Sequence, residues 1–229
     1  LTIGGVTPLS TLDFPDALAA VVYCQGCPWG CPYCHNAPLR EITDRAEHDS
    51  ASILTWLEGR RGLLDAVVFS GGEPTLQPDL AETMEAVRAL GFKVGLHTTG
   101  MYPDALGKVL PLCDWVGLDI KAPRAAYARI TGVAGSGEAA FASLALLLQN
   151  GVAFETRTTW HPGLLDEAEL TALAGELAEA QAGHWIIQAF RPDGCADTEL
   201  AASGQTVFPP DLVSRLQTAA PRLTIATRV

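Results

Sequence analysis

Six cysteines occur in the 229-residue chain, and Cys24, Cys27, Cys31 and Cys34 fall within eleven positions. The run reads Cys24-Gln-Gly-Cys27-Pro-Trp-Gly-Cys31-Pro-Tyr-Cys34-His-Asn36. Its glycines and prolines let a tight loop turn the thiols toward one point. Thiolates gathered this closely hold metal or do redox chemistry. Cys24-x2-Cys27 and Cys31-x2-Cys34 are each spaced like half of a zinc site. A zinc ribbon, however, separates its pairs by about a dozen residues or more, and only Pro28, Trp29 and Gly30 intervene here. A redox CxxC would use two of the four thiols. An iron–sulfur cluster suits the crowding better, because its compact core takes ligands from a short loop. Cys27-x3-Cys31-x2-Cys34 would give three thiolates to a four-iron cluster and leave one iron open to a small molecule.

Elements must hold this loop in place. Residues 18–23 are apolar and read as a buried strand, so the cysteines sit at a strand's C-terminal end. Further strands are expected at 65–70, 93–98, 115–120, 154–159, 185–190 and 223–227. Helices are expected at 50–60, 79–90, 103–110, 139–149, 166–180 and 210–219, the first capped by Asp49 or Ser50. Residues 38–48 read as a charged connection and 129–140 as a flexible Ala/Gly-rich loop. Strand alternating with helix implies a parallel sheet with right-handed crossovers. A full eight-fold barrel takes about 250 residues, so about six units here point to an α/β partial (β/α)6 barrel in a single domain. Residues 1–17 are read as a hairpin-like cover and 18–229 as the partial barrel.

In parallel α/β folds the active site lies at the strands' C-terminal ends. The second strand delivers Gly71, Gly72 and Glu73 to that rim, and the third His97, Thr98, Thr99 and Gly100. The next gives Asp119 and Lys121, which pleating puts on one face. The last two give Arg157, Thr159 and His161, then Gln188 and Arg191. Asp119 and Lys121 could form an inward ion pair, and Arg157 could bind a carboxylate or lock a strand. Cys113 reads as a buried core thiol and Cys195 as an inert surface thiol.

The CxxxCxxC spacing, with Tyr33 before its last cysteine, resembles the signature of the radical S-adenosylmethionine (SAM) superfamily. His35-Asn36, Leu9-Ser-Thr-Leu-Asp-Phe-Pro15 and Gln188-Ala-Phe-Arg191 resemble the narrower group of glycyl-radical-enzyme activases. That group includes the pyruvate formate-lyase activating enzymes and the activating proteins of anaerobic ribonucleoside-triphosphate reductase. The resemblance implies a radical SAM barrel in which Cys27, Cys31 and Cys34 ligate a [4Fe–4S] cluster and Cys24 does not. It implies SAM contacts from Tyr33, Gly71, Gly72, Glu73, Thr98, Asp119, Lys121 and Arg157. The reaction implied is reductive cleavage of SAM, followed by removal of the Cα hydrogen of a glycine on a partner enzyme. The partner implied is the anaerobic ribonucleotide reductase large subunit, and the electron source a flavodoxin or ferredoxin. Related activases read Asp-Thr-Asn-Gly where this chain has His97-Thr-Thr-Gly100, so their monovalent-cation site does not carry over directly.

Composition narrows the alternatives. Fifteen Lys and Arg against 26 Asp and Glu give a net charge of −11, without the basic stripe of a nucleic-acid surface. No apolar run approaches 18 residues, so no membrane span is expected. The clustered thiols and the lack of a visible signal peptide suit a cytoplasmic setting. The rival readings are a small-molecule radical SAM enzyme such as a 7-carboxy-7-deazaguanine synthase, a non-catalytic iron–sulfur carrier, and a zinc-binding interaction module.

Overall fold

Strand and helix alternate along the chain, and the strands join edge to edge in the order they are made. A computed structural model describes residues 1–43, 45 and 47–229. Its strands are β1 (Ile3–Ser10), β2 (Ala19–Cys24), β3 (Ala66–Gly71), β4 (Lys93–Thr98), β5 (Trp115–Asp119), β6 (Ala153–Trp160), β7 (His184–Ala189) and β8 (Thr224–Arg228), in one sheet in that order. β1 is antiparallel to β2, and the later neighbours are parallel. Parallel neighbours need crossovers. These contain α1 (Ser50–Glu58), α2 (Leu80–Ala89), α3 (Pro103–Val109), α4 (Arg124–Thr131), α5 (Ser136–Asn150), α6 (Glu167–Glu179), α7 (Thr198–Ala202) and α8 (Leu212–Ala219). The α1 and α6 starts are fixed by capping boxes at Asp49–Ser52 and Asp166–Glu169, which satisfy otherwise orphaned backbone groups.

Pleating gives the sheet two different faces. Val22, Phe69, Leu96, Leu118 and Ile187 face the helices and join Leu57, Met84, Leu106, Leu144 and Leu173 in the main core. On the inner face Phe14, Ala19, Val21, Ala66, Val68 and Trp115 form a second, small core. It plugs the strands' N-terminal end, with Phe14 reaching in from the β1–β2 connection. Above the plug the inner face turns polar. β1 and β8 are the sheet's two edges, yet Leu12 and Asp13 from one side and Arg228 from the other line a single cavity. The sheet therefore curls into an open barrel with a lateral mouth between its edges.

Residues 1–17, expected as a hairpin-like cover, contribute β1, an edge strand antiparallel to β2. One stretch differs from the sequence expectation. Residues 129–140, expected as a loop, are the end of α4, a turn and the start of α5. Gly132 and Gly135 take positive φ of 75° and 76° at a turn that L side chains disfavour, so two short helices meet there. The charged connection expected over 38–48 includes residues 44 and 46, which lie outside the described residues.

Candidate active site

The cysteine loop leaves β2 where Cys24 pairs in register with Gly71 of β3. Backbone bonds from Gly26 N–H to the Leu39 carbonyl (2.7 Å), Cys27 N–H to Arg40 (3.1 Å) and Gly30 N–H to Thr131 (2.7 Å) pin its course. Gly71 has φ 109° and lies against the Cys24 backbone, and a Cβ on Gly72 would overlap the Gly26 carbonyl. These glycines let two loops press together as well as leaving backbone accessible to a ligand. The thiols of Cys27, Cys31 and Cys34 line one cavity of about 150 Å³, shared with Trp29, Tyr33, His35, Asn36, Gly71, Gly72, Thr99, Asp119, Lys121 and Thr159. Cys24 is fully buried in the main core and lies outside that lining.

The donor set can be tested for what it would hold. Cys27, Cys31 and Cys34 are free thiols. Among the described residues, no three His, Cys, Asp or Glu side chains gather closely enough to hold a single metal ion. A mononuclear zinc needs its sulfurs about 2.3 Å from one point, whereas three thiols spread around a cavity suit a group of several irons. Burial pushes the Cys27 thiol up to about 11 and the Cys24 thiol to about 12. Both thiols are raised by burial, so it is position that sets Cys24 apart: it lies in the core and outside the cavity that the other three line. Lys121 offsets part of the burial effect at Cys27 and Cys31.

Glu73, expected to contact SAM, turns its carboxylate into the protein. Its side chain is fully buried. The Thr75 N–H and hydroxyl and the Thr98 hydroxyl donate to Oε1, while the Thr99 N–H and hydroxyl donate to Oε2. It ties β3's end to β4's end beneath the cavity floor. The Thr98 hydroxyl also accepts from the Gly100 N–H, and Thr99 lines the cysteine cavity.

Asp119 is the corner where three cationic or basic groups meet. Its Oδ2 lies 3.5 Å from Lys121 Nζ and its Oδ1 3.2 Å from Arg157 Nε. Lys121 also sits over the Tyr33 ring at 5.5 Å. Burial alone would raise the Asp119 carboxyl, but Lys121 and Arg157 hold it below the usual carboxylate range. Burial opposes the Lys121 ammonium, yet Tyr33, Cys31 and Asp119 keep its pKa above the ordinary lysine value. Arg157 NH2 also donates to the Gly117 carbonyl at 3.3 Å, and Gly117 leaves room for the guanidinium. His97 Nε2 lies 2.9 Å from the Asp13 carbonyl and 3.3 Å from Arg157 NH1. Burial, then the Arg157 charge, push its pKa down to about 3, so the ring is neutral.

Two more cavities continue from the cysteine pocket. One of about 210 Å³ is lined by Ser70, His97, Thr98, Thr99, Asp119, Arg157 and Gln188. The other, about 330 Å³, opens at the lateral mouth. His35 and Thr159 line all three, so the cavities adjoin one another between the thiols and the barrel's side. His161 turns away to Ser203, and Cys113 is buried as expected. Sequence reading missed Asp13 and Tyr127. Tyr127 on α4 presents its hydroxyl to the Lys121 N–H at 3.2 Å. The buried Ala126, Tyr127, Ile130 and Thr131 have helical spacing, bracketed by Pro123 and Gly132, and that signal could have revealed it.

Residues 21–174 match the family model described as the radical SAM superfamily. A candidate glycyl-radical enzyme activating enzyme of Methanocaldococcus jannaschii is 30% identical over 206 residues, 86% of this chain and 83% of that protein. A PqqA peptide cyclase of Gluconobacter oxydans is 32% identical over 176 residues, 73% of this chain but 48% of the cyclase. Among solved structures, Streptococcus suis SuiB bound to S-adenosylmethionine superposes with a TM-score of 0.69 at 15% identity, over 91% of this chain and 50% of SuiB. The chain therefore spans about half the length of SuiB and of the cyclase, while it matches most of the archaeal protein.

Proposed function

We propose, because this chain belongs to the radical SAM superfamily, that it places a glycyl radical on a partner enzyme, anaerobic ribonucleoside-triphosphate reductase. The family uses a [4Fe–4S] cluster and SAM. The observation that carries the reading is the row of adjoining cavities between three cysteine thiols and the open barrel side. A protein loop can reach such a site laterally. The archaeal relative's name, over most of both chains, supports the same reading.

Cys27, Cys31 and Cys34 would hold the cluster and leave one iron for SAM. Cluster and SAM together supply what no side chain has: a one-electron cleavage of the sulfonium that ends in hydrogen-atom abstraction. The chain's own residues bind and orient. Asp119 and Lys121 face the cavity as a pair able to take an ammonium and a carboxylate, and Arg157 fixes Asp119 in place. The Gly71–Gly72 backbone forms a floor on which SAM's polar end can rest, and Glu73 acts from below by stiffening it. Tyr33 and Trp29 wall the cavity, and the buried Tyr33 hydroxyl makes no hydrogen bond among the described residues. A flavodoxin or ferredoxin in a reducing cytoplasm would deliver the electron.

The test is isotopic. A partner reductase carrying α-deuterated glycine is incubated anaerobically with the reconstituted, reduced protein and SAM. Deuterium should appear in 5′-deoxyadenosine. If SAM is cleaved without deuterium transfer while a deazapurine precursor is consumed, the small-molecule reading replaces this one.

A further inference from the structure

The lateral mouth has two polar groups that the fold does not use. Three arginines line it. Arg157 is committed to Asp119, and Arg228 forms a two-pronged pair with Glu155 at 3.0 and 3.3 Å. Arg191 is exposed and, among the described residues, its guanidinium has no ion pair or hydrogen bond. The Gln188 amide likewise has no partner among the described residues, and it lines both the mouth and the polar interior. On the opposite lip Leu12 is 82% exposed.

Arg191 is fixed at its root. His35 Nε2 lies 2.9 Å from the Arg191 carbonyl. Gly194, at φ 77°, packs against the His35 carbonyl, and the Cys195 thiol donates to the Pro32 carbonyl at 3.3 Å. The segment that carries the guanidinium is thus fastened to the cysteine loop, at a set offset from the chemistry. A guanidinium recognises a carboxylate with two parallel hydrogen bonds. A primary amide offers one donor and one acceptor group, the pattern of a peptide unit. Asp13 also lines the mouth, but its carboxylate accepts from the Ser10 hydroxyl and lies 3.9 Å from His97, so in a chain of net charge −11 Arg191 is a cation without an ion pair there and favours an anionic ligand.

We propose that the substrate segment presents a carboxylate side chain near its reacting glycine, that Arg191 reads that carboxylate, and that Gln188 takes the adjoining peptide unit. This deepens, and rests on, the glycyl-radical reading. Arg191 is a specificity-determining residue and Gln188 a charge-blind contact.

The experiment uses the reconstituted holoprotein with SAM and end-capped, fluorescein-labelled peptides. Each has a central glycine and one Glu placed at a different distance from it, and each is paired with its Gln twin. Anisotropy should show one Glu peptide binding roughly tenfold tighter than its twin, the size of one charge-assisted contact. Arg191→Gln should abolish that preference and Arg191→Lys should keep part of it, while Gln188→Leu weakens both twins alike. No preference at any position, or a preference that survives Arg191→Gln, overturns the assignment. So does a loss of SAM affinity, by equilibrium dialysis, as large as the loss of peptide affinity. Free glutarate competing as well as the Glu peptide would overturn the peptide occupant. If a partner acquires the glycyl radical but no Glu preference exists, only this inference fails. If the preference holds and no partner acquires the radical, the activase reading fails instead.

Discussion

A buried carboxylate is costly unless hydrogen bonds offset its lost hydration, and Glu73 receives five. Removing it leaves the donors of Thr75, Thr98 and Thr99 unpaired. Glu73→Ala should therefore destabilise the fold by about 3 kcal/mol, which a thermal melt would read as a fall of about 5–10 °C. An unchanged melt with weakened SAM binding would restore the direct contact that the sequence pattern suggests. The thiols make a second prediction. Cys27→Ala, Cys31→Ala and Cys34→Ala should each lose iron on anaerobic reconstitution, whereas Cys24→Ala should keep it, because Cys24 sits in the core and outside the cavity. Iron loss in Cys24→Ala alone would reverse the assignment. That Cys27, Cys31 and Cys34 share one cavity follows from their short loop spacing, which the sequence displays. The Glu73 environment was not legible, because Thr98 and Thr99 arrive from the end of β4, whose place beside β3 depends on sheet order.

At the scale of elements, the seam between the cysteine loop and the end of β3 has no room for a side chain. Gly72→Ala would drive a methyl into the Gly26 carbonyl. It should lower iron loading without touching a thiol. Gly107→Ala in α3 meets nothing within 4 Å and should stabilise by about 0.5–1 kcal/mol. Equal iron loading in both variants would show the seam to be slack. His97 ties β4 to the β1–β2 connection through Asp13, and it makes a pH prediction. Unfolded, it takes a proton near 6.5; folded, only near 3. The unfolded state therefore binds more protons as pH falls, and stability present above pH 6.5 is lost progressively toward pH 3. Melting temperature should fall less steeply between pH 7 and 4.5 in His97→Gln than in the parent, and parallel slopes would count against the buried neutral ring. The strands and most helices were legible from periodicity. α4 was not, because Ala and Gly around residues 129–140 resemble loop composition, while their small size lets α5 approach Tyr127 closely.

At the scale of the molecule, an open sheet with a plugged lower end leaves two ways into its interior, the upper rim and the side. No single helix among the described residues is long and apolar enough to cross a membrane. The barrel class could be read from alternation alone, but the mouth could not. It forms only when the β1–β2 connection, with Asp13, and the end of β8, with Arg228, come together around one cavity. That cavity adjoins the thiol-bearing pocket, and this arrangement is the basis of the activase proposal. One measurement tests it most directly: an electron paramagnetic resonance spectrum after anaerobic incubation of the reduced, reconstituted protein with SAM and an anaerobic ribonucleotide reductase large subunit. A glycyl doublet should appear, and it should vanish when this protein or SAM is omitted. Full SAM cleavage with no doublet on that partner would contradict the account.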